Sequence, residues 1–299
     1  MKLLIDTDIG DDIDDALALT WALKLNLDIV GITTVYRDAT KRAKIVKRIL
    51  ELSGREDIPV RIGESEPINP NTIKIGKFNY EAEYNGCLEA NGVEYIAECA
   101  EKYGDELTIL ALGPQTNLAK AYMDYPEAMK KVGRVVIMGG AFFCHSDEWN
   151  IAGDPTAAKI VMQSGENLMY VNWDLTRYAE IGEENTKFIT SIREESLRGF
   201  VAGLVKDWTN RNDYYPILHD PLALLYCVDH SEFQTKEIMS RVIDSGDFAG
   251  VTLNTDWFFS YQNQEARKNK GNKITVCTSA NLEALVKRFM TDVFDKTEN

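Results

Sequence analysis

Residues 2–25, with the sequence KLLIDTDIGDDIDDALALTWALKL, contain the pattern that decides the fold class of this chain. A short apolar run reaches Asp6, a polar loop follows, and from Ile13 onward the apolar residues recur at helical spacing. The same order of strand, loop and helix recurs further along the chain. Such alternation predicts parallel βαβ units with right-handed crossovers, and therefore an α/β protein.

The recurring pattern defines the predicted elements. Further strands are predicted at residues 29–35, 107–112, 135–138, 168–171 and 274–277, and helices at 39–52, 116–122, 154–163 and 281–294. Residues 64–92 predict a long loop over one end of the sheet, and residues 183–212 predict a charged helical segment. No repeat or linker interrupts the pattern. We therefore predict one large domain over residues 1–299, with an open, mostly parallel sheet flanked by helices.

Composition and charge exclude several classes of protein. The 299 residues are 44% hydrophobic, which is enough for a substantial core. With 33 basic and 47 acidic side chains, the net charge of −14 argues against nucleic acid or an anionic membrane as a partner. No apolar run approaches the ~18 residues of a membrane span. The five cysteines form no Cys-x-x-Cys pair, which favours reduced thiols and a cytoplasmic location.

The loop after the first predicted strand is unusually acidic. Ligands of parallel α/β sheets bind at the carboxyl ends of strands, where this loop must lie. Helix capping explains one or two of its carboxylates, but the first turn has only four free N–H groups. The others repel each other and need a cation, and oxygen ligands favour Ca²⁺ or Mg²⁺ over zinc. The six aspartates are Asp6, Asp8, Asp11, Asp12, Asp14 and Asp15.

Two other readings of this loop can be compared with its spacing. An EF-hand needs Gly at its sixth position and Glu at its twelfth, and the loop does not match. Asp-x-Asp at a strand end is also typical of aspartate-type phosphohydrolases, in which the first Asp attacks phosphorus. That class has Thr or Val where this chain has Gly10. A metal-dependent phosphohydrolase therefore stays open as an alternative at this point.

Four ordered blocks give a more specific signal. They are Asp6-Thr7-Asp8 with Asp14-Asp15-Ala16; residues 111–118, ALGPQTNL; Met138-Gly139-Gly140 with Glu148-Trp149-Asn150 and Asp154-Pro155; and residues 219–223, HDPLA. In these blocks the chain resembles the calcium-dependent, inosine-uridine-preferring nucleoside hydrolases, in a version with two extra residues in the acidic loop. The resemblance implies that family's α/β fold, a homodimer or homotetramer, and a role in nucleoside salvage. It also implies hydrolysis of a ribonucleoside at its N-glycosidic bond, giving free base and ribose.

The resemblance also implies roles for individual residues. Asp8, Asp15, Asp220 and the main-chain carbonyl of Leu112 would bind Ca²⁺, and Asp8 would act as the base for a calcium-bound water. Asp14, Glu148 and Asn150 would hold the ribose, with Asp12 as the alternative to Asp14 or Asp15 in the lengthened loop. His219 matches a histidine that some members place near the leaving base; there it would act as the acid that protonates the base, with its pKa raised by the neighbouring carboxylates. The candidates for stacking on the base are Trp149, Tyr214, Tyr215 and Trp257, while His145 and His230 are expected to be structural or solvated.

The chain departs from the family pattern at three places. Asp38 occupies the position of an Asn that contacts the sugar, and we place it among the substrate-binding residues. The loop between Gly140 and Glu148 lacks the usual Asn, and residues 84–88 lack the His-Gly-x-Asp-Gly pattern. These departures leave the base open and make a modified purine, such as a deazapurine, a candidate. They also motivate an alternative, a member that binds a ribosyl ligand with weakened catalysis.

Overall fold

A single sheet organises the computed structural model, which describes residues 1–72, 75–144, 146–256 and 271–296. His145 and Trp257 lie outside these residues. The strands of the described part are β1 (Lys2–Thr7), β2 (Ile29–Thr34), β3 (Val60–Ile62), β4 (Leu107–Ala111), β5 (Arg134–Met138), β6 (Leu168–Val171), β7 (Phe233–Val242), β8 (Thr252–Asn254) and β9 (Asn272–Ala280). Their order in the sheet is β3-β2-β1-β4-β5-β6-β9-β7-β8.

Most of this sheet is parallel. The pairs from β3 across to β9 are parallel, whereas β7 runs antiparallel to both β9 and β8. Parallel strands are connected by crossovers that place helices on the faces of the sheet, as the sequence pattern predicted. The prediction of an α/β domain with an open, mostly parallel sheet is therefore confirmed for the described residues.

Helices cover both faces of the sheet. Within the described ranges they are α1 (Asp14–Lys24), α2 (Ala39–Ser53), α3 (Gly92–Tyr103), α4 (Thr116–Asp124), α5 (Pro126–Met129), α6 (Trp149–Gly153), α7 (Pro155–Ser164), α8 (Trp173–Thr176), α9 (Gly182–Ser191), α10 (Leu197–Thr209), α11 (His219–Val228) and α12 (Leu282–Phe294). Side chains of β1 alternate between two hydrophobic clusters: Leu3 and Ile5 join the cluster containing α1, α2 and α11, and Leu4 joins the cluster containing α3, α4 and α7. None of the described helices is long and apolar enough to cross a bilayer.

The structure adds elements that the sequence pattern did not predict. The antiparallel strand β7 is half exposed, and its polar residues interrupt the apolar alternation that marks a strand. Short β3 and helix α3 were also not predicted. By contrast, the charged helical segment predicted at residues 183–212 is present as α9 and α10, separated by residues 192–196.

The long loop predicted at residues 64–92 crosses the acidic loop. The amide N–H of Asn79 donates to the carbonyl of Gly10 at 2.8 Å. The hydroxyl of Tyr80 donates to the carbonyl of Asp12 at 2.8 Å and accepts from the amide of Gly10 at 3.2 Å. We call residues 75–80 the strap. These bonds tie the strap to the acidic loop and place it beside the carboxyl ends of the strands.

Candidate functional site

A cavity of about 660 Å³ opens at the carboxyl ends of β1, β4 and β5. Asp8 follows β1, Leu112 follows β4, and Met138 ends β5, so the sheet itself sets the cavity floor. The predicted site residues that line it are Asp8, Asp12, Asp14, Asp15, Leu112, Glu148, Trp149, Asn150, His219 and Asp220. The sequence blocks, far apart along the chain, therefore meet around one cavity.

Three buried carboxylates form a compact cluster in this cavity. Oxygen atoms of Asp14, Asp15 and Asp220 all lie within 4.8 Å of one another. Asp14 and Asp15 occupy the first turn of α1, and Asp220 occupies the first turn of α11. The amide N–H of Asp220 donates to Asp14 Oδ2 at 3.2 Å, and the hydroxyl of Thr7 donates to Asp15. Two helix N-termini thus bring the three acids together.

This cluster differs in one member from the predicted ligand set. The resemblance placed Asp8 with Asp15 and Asp220 and gave Asp14 to the ribose, whereas Asp14 belongs to the cluster in the structure. Asp8 lines the same cavity, and burial together with the negative charge of Asp15 raises the pKa of Asp8. Asp8 and Asp14 therefore both border the place where a cation fits.

The charges of the cluster fit a hard divalent cation. Burial raises the pKa of Asp15 to about 7, and burial together with neighbouring carboxylates raises the pKa values of Asp14 and Asp220 well above the usual range. Several buried carboxylates cannot all be ionised without a compensating positive charge. All donors are oxygens, which suits Ca²⁺ or Mg²⁺.

Stabilisation by a divalent cation at this cluster is expected to depend on pH. The pKa of Asp15 in the folded, metal-free protein is about 7, above its unfolded value, so this group stabilises the fold at low pH. That stability is lost as the pH rises through about 7. A cation that replaces the proton offsets this loss, so the gain in Tm on adding Ca²⁺ should be larger at about pH 8 than at about pH 5.5. Differential scanning fluorimetry with and without a chelator measures this gain in Tm. An equal or smaller gain at the higher pH would contradict the prediction.

Glu148 and Asn150 are held by backbone groups around the cavity. Glu148 caps α6, since Oε1 accepts from the amide of Asn150 at 3.0 Å and Oε2 accepts from the amides of Gly140 and Ile151 at 3.0 and 3.1 Å. Asn150 Nδ2 donates to the carbonyl of Leu112 at 2.7 Å and to that of Met138 at 3.1 Å. These bonds connect the ends of β4 and β5 to α6 and fix the orientation of both side chains.

Asp38 is not brought to the cavity. It is exposed, and its carboxylate accepts from the amide of Lys41 at 2.9 Å as the N-cap of α2. The two preceding residues, Tyr36 and Arg37, have positive φ angles of 74° and 57°, and in this turn Arg37 approaches Asp11 at 3.5 Å. The expectation that Asp38 binds substrate is therefore corrected: its side chain begins a helix.

His219 lies beside the acid cluster in a different state from the one expected. Its Nδ1 is 2.7 Å from the hydroxyl of Thr176. Burial lowers the pKa of His219 to about 4, the opposite direction from the increase expected from neighbouring carboxylates. The imidazole in this setting is neutral at pH 7, and it can take part in hydrogen bonds at the cavity.

Several lining residues were not predicted from the sequence. Trp173 and Trp208 line the cavity with Trp149 and Tyr214, and the rings of Trp208 and Tyr214 meet edge to face at 5.1 Å. Tyr215 is not among the lining residues of the described chain. The strap adds Lys77 and Asn79, whose approach depends on long-range folding and leaves no local sequence signal.

Comparisons with known proteins agree with this architecture. The profile of the family described as "Inosine-uridine preferring nucleoside hydrolase" matches residues 3–287. Uridine nucleosidase 1 of Arabidopsis thaliana is 33% identical over 84% of this chain and 81% of that protein. The pyrimidine-specific ribonucleoside hydrolase RihA of Citrobacter koseri is 32% identical over 87% of this chain and 89% of that protein.

Solved structures of nucleoside hydrolases have the same fold as this chain. The plant nucleoside hydrolase PpNRh1 superposes with a TM-score of 0.82 at 26% identity, covering 98% of both chains. An inosine-guanosine nucleoside hydrolase superposes with a TM-score of 0.82 at 21% identity, which supports the fold. With the four sequence blocks gathered around one acidic cavity and the family profile matching nearly its whole length, the chain belongs to the inosine-uridine preferring nucleoside hydrolase family.

Proposed function

We propose that this N-ribosyl hydrolase cleaves a ribonucleoside into free base and ribose in a Ca²⁺-dependent reaction. The observation that carries the proposal is the buried cluster of Asp14, Asp15 and Asp220 inside a cavity of about 660 Å³. That volume falls within the ~300–1,000 Å³ typical of small-ligand sites. Because the chain belongs to the nucleoside hydrolase family, the alternative of a metal-dependent phosphohydrolase is not retained.

The acidic side chains would hold the cation. Asp15 and Asp220 are common to the predicted ligand set and to the observed cluster, and Asp14, Asp8 and the Leu112 carbonyl border the same place. A mixture of carboxylates with a main-chain carbonyl favours Ca²⁺. When bound, the ion would supply positive charge that orients the ribose diol and lowers the pKa of a nearby water.

The chain's own residues would perform the chemistry around that ion. Asp8 is proposed to remove a proton from the attacking water, since it lies at the end of β1 and faces the cavity. Cleavage of the C–N bond develops an oxocarbenium-like sugar, and the surrounding carboxylates stabilise that positive charge. Asp12, Asp14, Glu148 and Asn150 are proposed to contact the ribose.

The base would lie against the aromatic part of the cavity. Trp149 and Tyr214 are partly exposed there, and such rings can stack on a nucleobase. Relatives named for uridine and for pyrimidine ribonucleosides support testing pyrimidine substrates, and the departures from the family pattern support testing deazapurine nucleosides. The test is release of reducing sugar from purified protein given uridine, cytidine, inosine and 7-deazaguanosine. Ribose release from any of them excludes the binding-only alternative, and no release from the whole panel contradicts the proposal.

His219 is proposed to assist departure of the base by hydrogen bonding. His219→Ala should slow nucleosides with poor leaving groups by about 10²-fold, the cost of removing one such donor. An activated p-nitrophenyl riboside, whose leaving group departs without assistance, should be nearly unaffected. His230→Ala is the matched control, because His230 packs against Tyr226 and is not a lining residue of the described cavity. An equal loss on both substrates would instead assign His219 to support of the neighbouring Asp220.

The setting of the enzyme is also part of the proposal. We propose that residues 1–299 act as one domain in a cytoplasmic homodimer or homotetramer. The five cysteines Cys87, Cys99, Cys144, Cys227 and Cys277 are free thiols, which supports a reducing compartment. Light scattering of the purified protein measures the subunit number.

A further inference from the structure

A completely buried arginine lies behind the acidic loop. Arg42 of α2 has a relative exposure of 0%. Its Nε donates to the carbonyl of Tyr36 at 2.8 Å, and its Nη1 donates to the carbonyl of Asp8 and, at 3.0 Å, to that of Ile9. A buried guanidinium is costly unless its donors are satisfied, and here Nη1 meets two main-chain carbonyls of the acidic loop. Arg42 therefore fixes the backbone at Asp8.

The charge of Arg42 is compensated by Asp11. Nη2 of Arg42 lies 3.3 Å from Asp11 Oδ1, and Arg37 Nη1 lies 3.5 Å from Asp11 Oδ2. Within the described residues, neither Arg42 Nη2 nor Asp11 Oδ1 has a hydrogen-bond partner, so their ion pair is the compensation that each atom has. Removing one partner leaves the other charge buried and unpaired.

The same pair joins the strap to the acidic loop. The ring of Phe78 lies 4.8 Å from the guanidinium carbon of Arg42, and Asn79 Nδ2 donates to the carbonyl of Asp11 at 2.6 Å. Gly76 has a φ of +94°, and a Cβ there would lie 2.3 Å from Asp11 Oδ2. Only glycine fits this close approach, so the strap is closed over the Arg42–Asp11 pair.

The cation cluster is held by other groups. Asp14 and Asp15 are fixed by the amide of Asp220 and the hydroxyl of Thr7, and neither bond involves Arg42. The acidic loop thus has two halves with separate supports. Residues 8–11 depend on Arg42, and residues 14–15 depend on the first turns of α1 and α11.

We propose that Arg42 and Asp11 are positioning residues that orient Asp8 for the reaction, whereas other groups hold the side chains of the cation cluster in place. This inference rests on the proposed function, in which Asp8 is the base. A general loss of folding would reduce turnover and calcium binding together, whereas a loss of positioning acts mainly on turnover. Disturbing the pair should therefore reduce kcat by a larger factor than it weakens Ca²⁺ binding.

The test uses Arg42→Lys, which keeps the charge but not the fork of donors, and Asp11→Asn. Each should lower kcat per calcium-binding site by about 10–10²-fold, the effect of a misplacement near 1 Å. The Kd for Ca²⁺ from calorimetry should stay within about threefold of wild type, and its stoichiometry counts the folded sites. Arg48→Lys is the matched control, since Arg48 lies on the same helix and forms an exposed pair with Glu51. Unchanged kcat per site, or a parallel loss of calcium affinity, overturns the proposal.

A second readout does not depend on turnover. Amide hydrogen exchange at Asn79, which donates to Gly10, should accelerate at least about tenfold in Arg42→Lys, while exchange at Leu17 in α1 should not change. If the wild-type protein hydrolyses no nucleoside, the proposed function fails, and this exchange experiment still decides whether Arg42 holds the strap and residues 8–11. Equal acceleration at both amides would show a global loss of stability and would contradict the positioning role.

Discussion

Asp8→Asn is expected to lower kcat for ribonucleoside hydrolysis by about 10²–10⁴-fold, the range for loss of a general base. The substitution keeps the size of the side chain and removes the oxygen that would accept a proton from water. Because Asp14, Asp15 and Asp220 form the compact cluster without Asp8, the variant should still bind Ca²⁺ when the ion is supplied in excess. The measurement is kcat at saturating Ca²⁺, with calcium occupancy determined on the same sample.

The result for Asp8→Asn distinguishes a role of Asp8 as the general base from a role as a calcium ligand. Wild-type kcat with calcium bound would show that Asp8 is not the base. A loss of kcat that excess Ca²⁺ fully restores would assign Asp8 to the ligand set alone. A large loss at full occupancy supports the proposed role.

Asp220→Ala is expected to weaken Ca²⁺ binding by more than about 100-fold, because even groups that only support metal ligands cost 10–100-fold. Asp220 contributes one of the three clustered carboxylates, and alanine removes that carboxylate while keeping the main-chain amide that contacts Asp14. The loss should appear first as a weaker Kd in calorimetry and then as a higher Ca²⁺ concentration for half-maximal activity.

Asp38→Ala is the matched control for Asp220→Ala. Asp38 caps α2 at the surface, so its removal should cost about 0.5–2 kcal/mol of stability without changing calcium affinity. Unchanged calcium affinity in Asp220→Ala would remove Asp220 from the ligand set.

The first βα unit could be predicted from local sequence. An apolar run ends at the acidic loop, and helical periodicity begins at Ile13, so β1, the loop and α1 follow in order. Strand β7 could not be predicted in this way, because its alternation includes the exposed Lys236 and Glu237. Its place depends on pairing with β9, which is a long-range contact.

The acidic site itself could be predicted from the sequence, but the residues that hold the acidic loop in place could not. Arg42 lies four residues before Val46 and seven before Ile49, on the buried stripe of α2 rather than on its exposed, basic side. That spacing was the available signal for a buried arginine. The strap gave no such signal, since its contacts with Gly10 and Asp11 join residues nearly 70 positions apart.

The most direct test of the account is a calcium-restoration assay on the wild-type protein. Protein stripped with a chelator is given a ribonucleoside, and free base and reducing sugar are quantified before and after Ca²⁺ is added. The account predicts little release from the stripped protein and equal amounts of base and ribose once Ca²⁺ is restored. Equal rates with and without the ion, or no release of ribose at any Ca²⁺ concentration, would contradict it.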